Sequence, residues 1–238
     1  MNDVTIHRVD SPYGGDRFYR GFSPEGVEVF CFPSVTTILD GAVPKDQYLI
    51  RWIREQGIGG QAIFEQAGKQ GTEVHVAIET LLEGGNVPVD DNMPYKVKKC
   101  LQAFIDWHNE YKPETLETEQ IVFNMNDMYA GGCDYVCKIG GEVYVIDWKT
   151  STSIVDKHLY QVAAYRKALE AKYPGAKTAI VHLGNKTKKK YSMKEFDWEP
   201  EYEKFAMFNN VWRQLNPGAK PKENNFPDVF ELQTSNED

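Results

Sequence analysis

The sequence predicts a mixed α/β protein, a central sheet with helices packed on both faces, and three observations carry that expectation. A Gly140-Gly141 pair joins two runs rich in Val, Tyr and Ile, Cys133 to Ile139 and Glu142 to Trp148. Two residues of this type between such runs are the signal of a tight hairpin. The second run is apolar at every position from Val143 to Ile146, the pattern of a strand covered on both sides. Beyond it, a segment with apolar residues at helical spacing (Lys157 to Lys172) precedes another buried-type strand (Lys177 to Leu183). That alternation of strand and helix argues for a sheet flanked by helices.

Taken in order, the chain starts with strand-like runs at Val4 to Val9 and Val27 to Phe32, separated by a Gly/Pro/Asp-rich turn region. Ser34, after Pro33, is a helix N-cap, with Thr36 to Leu39 as the first turn. From Gln47 to Gln56, Tyr48, Leu49, Trp52 and Ile53 recur at helical spacing, and Gly57, Gly59 and Gly60 interrupt them. A second helix is expected over Gln61 to Ala67. A separate one is expected over Gly71 to Leu82, with Val74, Ala77, Ile78, Leu81 and Leu82 as its apolar stripe. Lys96 to Tyr111 is amphipathic, with Val97, Leu101, Phe104, Ile105 and Trp107 inside. Glu119 to Asn124 reads as a strand that opens at Glu119, and the hairpin follows. After Pro174-Gly175 and the strand from Lys177 comes a basic turn, Asn185 to Lys190. A strand over Tyr191 to Phe196 and a helix over Tyr202 to Leu215 complete the pattern, the helix burying Phe205, Phe208, Val211, Trp212 and Leu215.

With 238 residues, 41% of them hydrophobic, the chain can bury one large core. Its net charge of −8 disfavours broad attraction to nucleic acid and leaves room for a local basic groove. No apolar run is long enough to span a bilayer, and Met1 to Asp10 is polar, so no signal peptide or membrane contact is expected and the cytoplasm is the expected location. Cys31, Cys100, Cys133 and Cys137 show no C-x-x-C spacing, consistent with reduced thiols. A single domain over 1–238 is expected, mainly helical over 33–112, with the sheet and its helices over 113–215 and a loosely ordered tail at 227–238. No G-x-x-x-x-G-K-[ST] segment is present, so no nucleotide cofactor is expected.

The hairpin brings charges together. Asp134 opens its first strand and Asp147-Trp148-Lys149 closes its second, so both acids fall at one end of the sheet. Alternation puts Asp147 and Lys149 on the same face. Buried charges are costly unless they are paired or bind a metal. A strand-end salt bridge between Lys149 and an Asp satisfies this; so does a metal site.

Further pieces occur in a fixed order: Pro33-Ser34-Val35-Thr36-Thr37-Ile38-Leu39, Gly71-Thr72-x-x-His75, Glu119, Gly131-Gly132-x-Asp134, Asp147-Trp148-Lys149-Thr150-Ser151 and Gln161-x-x-x-Tyr165. In that order they resemble the PD-(D/E)XK nuclease superfamily in its RecB-like exonuclease branch, the type that includes phage and mitochondrial genome-maintenance exonucleases. The resemblance covers about Pro33 to Ala168. It implies a restriction-endonuclease-like mixed sheet preceded by a helical, arch-like region under which a single strand threads. In that region Tyr48, Trp52 and Phe64 are candidates for base stacking or for ordinary core packing.

The resemblance also implies a set of roles. Asp134, Asp147, the Trp148 backbone carbonyl and His75 would hold Mg²⁺ or Mn²⁺, oxygen ligands suiting the first and the imidazole admitting the second. Lys149 would position or deprotonate the attacking water and stabilise developing charge. Glu119 would orient the water or Lys149, or merely cap a strand. Glu79, one turn after His75 on the same helical face, is either an outer partner of His75 or a solvated acid. Gln161 and Tyr165 would contact the substrate backbone, or pack the helix on the sheet with Tyr165 half-buried. The Lys186 to Lys190 turn is either solvated or in contact with phosphate. No cysteine follows Tyr165, so the iron–sulfur cluster of some branch members is not expected.

The function expected is therefore that of a metal-dependent deoxyribonuclease, an exonuclease on single-stranded DNA or DNA ends that leaves 5′-phosphates. The alternatives are a structure-selective or nicking endonuclease, and a catalytically silent nucleic-acid-binding module. DNA is the expected partner, with a separate helicase, recombinase or single-strand-binding protein as a further one.

Overall fold

The computed structural model describes residues 4–12, 15–45 and 47–222, without the side chains of Tyr48, Leu49 and Ile58. The tail expected at 227–238 and the proposed contact of Tyr48 lie outside the described residues.

Three strands, β1 (Thr5–Asp10), β2 (Arg17–Phe22) and β3 (Glu28–Pro33), form an antiparallel meander. The expected runs correspond to β1 and β3, whereas β2 occupies part of the region read as a turn. Its Phe18 and Tyr19 are both buried, on opposite faces, so it lacks the one-sided alternation that marks a strand in sequence. Four helices follow: α1 (Val35–Ala42), α2 (Gln47–Glu55), α3 (Ile58–Leu82) and α4 (Tyr95–Tyr111). Ser34 caps α1, its Oγ accepting the Thr37 N–H at 2.9 Å.

The two helices expected between Gln61 and Leu82 are one. Gly68 and Gly71 lie inside α3, each costing about 1 kcal/mol relative to alanine. Burial of Val74 and Ile78 offsets this. Residues 61–69 of α3 are exposed throughout, so the helix runs from solvent into the core. Trp52 and Phe64, for which core packing was one expectation, are exposed.

The main sheet has the order β4-β5-β6-β7-β8, with β4 (Glu114–Asn124), β5 (Tyr129–Ile139), β6 (Glu142–Lys149), β7 (Lys177–Leu183) and β8 (Tyr191–Phe196). The first three are antiparallel neighbours; β6 and β7 are parallel and joined through α5 (Asp156–Ala168), and β8 returns antiparallel. Gly140 and Gly141 take φ of 60° and 89° in the β5–β6 turn, the left-handed pair that matches strand twist in a two-residue hairpin. A further helix, α6 (Trp198–Leu215), begins four residues before the expected start at Tyr202. Asp197 caps it through the Glu199 N–H.

Each face of this sheet has its own core. On one, Val136, Val145 and Ile180 pack against α1, α5 and α6 through Ile38, Val162 and Phe205. On the other, Tyr135, Ile146 and Val181 pack against α3 and α4 through Ile78, Leu101 and Trp107. That explains the unbroken apolar run of β6. Ile105, Val211 and Leu215, expected inside, are exposed at 39%, 45% and 69%; they lie at the margins of their helical stripes. Among the described residues no helix is long and apolar enough to cross a membrane.

Candidate active site

Alternation along β6 separates Trp148 from its two charged neighbours. The Trp148 ring is buried, with ring centroids 5.3 Å from Phe104, 5.2 Å from Trp107 and 5.4 Å from Tyr135. That aromatic cluster anchors the strand end and leaves Asp147 and Lys149 on the opposite face. Across the hairpin, the Tyr135–Ile146 register brings Asp134 level with Asp147. Asp134 Oδ2 accepts the Trp148 N–H at 2.9 Å.

His75 reaches this point from α3. Val74 and Ile78 hold that helix in the core, and His75 Nδ1 lies 3.4 Å from Asp134 Oδ2. Gly71, one turn earlier, lets the helix approach the strand end: a Cβ there would stand 3.2 Å from Thr150 Oγ1. Glu119 does not open its strand, which starts at Glu114. It sits in mid-strand with φ of 44°, between the pairs Thr118–Tyr135 and Gln120–Cys133. A non-glycine residue in that conformation is strained by about 1–2 kcal/mol, and here the bend aims its carboxylate at Asp134. One ligand atom each from His75, Glu119 and Asp134 lies within 4.8 Å of the other two. Two carboxylate oxygens and an imidazole nitrogen so close together suit a small divalent cation.

Asp147 stands beside that trio rather than in it. It is buried, its Oδ2 forms an ion pair with Lys149 Nζ without a hydrogen bond of good geometry, and its Oδ1 accepts from Gln161 Nε2 at 3.2 Å. Gln161 Oε1 accepts from Lys149 Nζ at 3.1 Å, and Gln161 Nε2 also donates to Tyr165 Oη at 3.0 Å. One amide on α5 therefore touches acid, amine and phenol. Tyr165 is fully buried, not half-buried, because its ring lies over Gly131, where a Cβ would stand 2.5 Å from Cε1.

A family model for the PD-(D/E)XK nuclease superfamily matches residues 50–225. The chain belongs to that superfamily. The five-stranded mixed sheet between helices is the restriction-endonuclease-like fold of PD-(D/E)XK proteins. A search of curated proteins gave no match. Fifteen chains of solved structures match; one of them, described as the crystal structure of SSO0001, is 15% identical, with 77% of this chain and 85% of that chain covered and a TM-score of 0.36.

The charges of this cluster act on one another across short distances. Burial alone would raise the Asp134 pKa, but His75, Lys149 and the Trp148 N–H hold it below the usual carboxylate range. Burial pushes Asp147 up to about 6 against the pull of Lys149. Desolvation and the neighbouring Asp134 charge push Glu119 up to about 7; the residue is exposed as a whole, but its carboxyl faces the cluster. For His75, burial lowers the pKa and the charges of Asp134 and Asp147 more than reverse this, to about 9. The metal-free site thus retains protons that a bound cation would displace.

Glu79 is partly exposed and makes no hydrogen bond to His75 among the described residues; its charge contributes to raising Glu119. Two neighbours of the site escaped the sequence reading. His158, three residues before Gln161 on α5, is held neutral by burial and by Lys149, its pKa falling to about 3; the i, i+3 spacing was its only signal. Tyr19, on the overlooked β2, brings its hydroxyl to 3.8 Å from where a Gly132 Cβ would be.

Proposed function

We propose that this PD-(D/E)XK protein is a metal-dependent DNA nuclease of the RecB-like branch, an exonuclease that acts on single-stranded DNA or DNA ends and leaves 5′-phosphates. The observation that carries the reading is the convergence of His75, Glu119 and Asp134 beside the Asp147–Lys149–Gln161 network. His75, Glu119 and Asp134 hold Mg²⁺ or Mn²⁺, with Asp147 and the Trp148 backbone at the border of the site. Such an ion, when bound, supplies charge stabilisation at phosphate oxygens and a more acidic water.

The chain's own groups do the rest. Gln161 fixes the Lys149 ammonium, which orients the attacking water and offsets negative charge growing on the phosphate. Asp147 keeps that ammonium in place and accepts a proton readily, given its raised pKa. Tyr165 supports Gln161 from below, and Glu79 biases Glu119 electrostatically. The residues 33–112 form the helical, arch-like part of one nuclease domain, with Trp52 and Phe64 exposed for stacking against bases. A helicase, recombinase or single-strand-binding protein acts as a separate chain.

End-labelled linear strands and closed circular single strands, each with Mg²⁺ and with Mn²⁺, test the reading. Linear strands are shortened progressively, circles survive, and EDTA stops the reaction. Cleaved circles would assign an endonuclease, and binding without cleavage in either metal would assign a silent binding module.

A further inference from the structure

Two lysine-rich segments far apart in sequence meet at the sheet end that carries Lys149. One is the start of α4, with Lys96, Lys98 and Lys99; the other is the β7–β8 turn, with lysines at 186 and 188–190. Lys99 Nζ donates to the Gly184 carbonyl at 2.6 Å and joins them. The turn is a built platform. Asn185 Nδ2 donates to the His182 carbonyl at 3.1 Å and to Ser192 Oγ at 3.0 Å, and Asn185 Oδ1 accepts from Thr187 N at 2.9 Å. Among the described residues, Lys189 is the one lysine of these segments with a carboxylate partner, Glu110 at 2.6 Å. The others add positive charge to a chain whose net charge is −8.

The register places this patch relative to the site. Lys149 on β6 is level with His182 on β7, and His182 Nε2 lies 2.6 Å from the Ser151 carbonyl. The turn therefore begins two residues beyond the level of Lys149, across one strand spacing from it. With strands about 4.8 Å apart and a rise of about 3.3 Å per residue, its cations stand about 10–15 Å from the Lys149 backbone.

We infer that this patch is a phosphate track, gripping the backbone of the nucleic-acid strand a few nucleotides from the bond that is cut. The inference rests on the nuclease reading above and names where that substrate runs. Lysine is a compact point charge on a flexible stem, suited to phosphate oxygens. A lysine track holds a strand through counterion release, irrespective of sequence, and lets it advance. Negative charge elsewhere on the chain directs the polyanion to this end of the sheet.

The test compares the native protein with the triple variant Lys186→Gln/Lys188→Gln/Lys190→Gln. Affinity for fluorescent single-stranded oligonucleotides, one of about 4 and one of about 20 nucleotides, is measured in Ca²⁺ over a salt series. The variant loses affinity for the long strand only, and its log–log salt slope falls by about 2. Its disadvantage shrinks about twentyfold between 50 and 200 mM salt. kcat at saturating strand stays unchanged, and Lys138→Gln, on β5 beside the Gly140-Gly141 turn at the far end of the sheet, alters nothing. Equal slopes for native and triple variant, equal losses on short and long strands, or an equal effect of Lys138→Gln would overturn the track. A native protein that cuts no strand in Mg²⁺ or Mn²⁺, while the triple variant still loses long-strand binding, would remove the nuclease reading and keep the patch as a strand-binding surface. A native protein that binds neither strand would remove both.

Discussion

His75 Nδ1 lies 3.4 Å from Asp134 Oδ2, a contact that joins α3 to the β5–β6 hairpin. With its pKa near 9, His75 is an imidazolium in the metal-free protein at neutral pH. A ligating imidazole must be neutral, so a metal ion competes with a proton for it. Metal affinity should rise between pH 7 and pH 9, by up to about tenfold per pH unit for one displaced proton. Calorimetry at pH 8, above the Glu119 pKa of about 7 and below that of His75, in buffers of different ionisation enthalpy reads that proton. No dependence on buffer would show that His75 stays out of the metal shell.

The same contact predicts a pH dependence of folding. A histidine whose folded pKa is raised contributes stability that is fully present below its unfolded pKa of 6.5 and is lost as pH rises through about 9. In EDTA, the melting temperature of the native protein should fall more steeply than that of His75→Gln across this window. Parallel curves would mean that the ion pair adds nothing.

Lys149 and Asp147 form a nearly buried pair. Lys149→Ala strands a charge in the core, at a cost of about 3–5 kcal/mol, and abolishes cleavage. Lys149→Met combined with Asp147→Asn should restore most of the stability and none of the activity. Chemical denaturation and a strand-cleavage assay together separate the two effects. Wild-type cleavage by either Lys149 variant would exclude the amine from the reaction.

Glu119 sits at φ of 44°. Glu119→Gly should stabilise the metal-free protein by about 1 kcal/mol, since glycine adopts this conformation without strain. It should also weaken metal binding, whereas Glu119→Gln keeps the strain and loses the charge. Melting temperature and metal titration would move in opposite directions for the glycine variant; if both fell together, the bend would serve only the strand.

Gly131 has no space for a methyl group beneath Tyr165. Gly131→Ala should cost about 1–3 kcal/mol and lower cleavage by displacing Tyr165 and, through it, Gln161. Tyr165→Leu in that background should recover stability without recovering rate. A Gly131→Ala protein with native melting and native rate would show that the ring can move aside freely.

The parts of this architecture that were legible in sequence are those set by local chemistry. A Gly-Gly turn, two-sided apolar runs and Ser34 before a helical stripe need no distant partner to be recognised. Other features depend on tertiary context. Glycines at 68 and 71 look like a helix break until Val74 and Ile78 are seen buried and Thr150 is seen beside Gly71. Nothing in a glutamate announces a positive φ, so the sequence alone does not distinguish a strand start at Glu119 from the mid-strand bend that is found there. β2 buries both of its faces at Phe18 and Tyr19 and so lacks the one-sided alternation that marks a strand among polar turns. The aspartates and Lys149 could be paired from hairpin geometry, but the sharing of Gln161 between Asp147 and Lys149 required the helix to be docked.

The unbroken course of α3 gives the molecule a ruler. Its outer end at Ile58 and the imidazole at His75 belong to one rod, with about 25 Å between them at 1.5 Å per residue. Whatever engages the exposed end does so at a set span from the cluster of His75, Glu119 and Asp134. Gly68 and Gly71 lie between the two, so any bend of the rod would fall there, short of the imidazole.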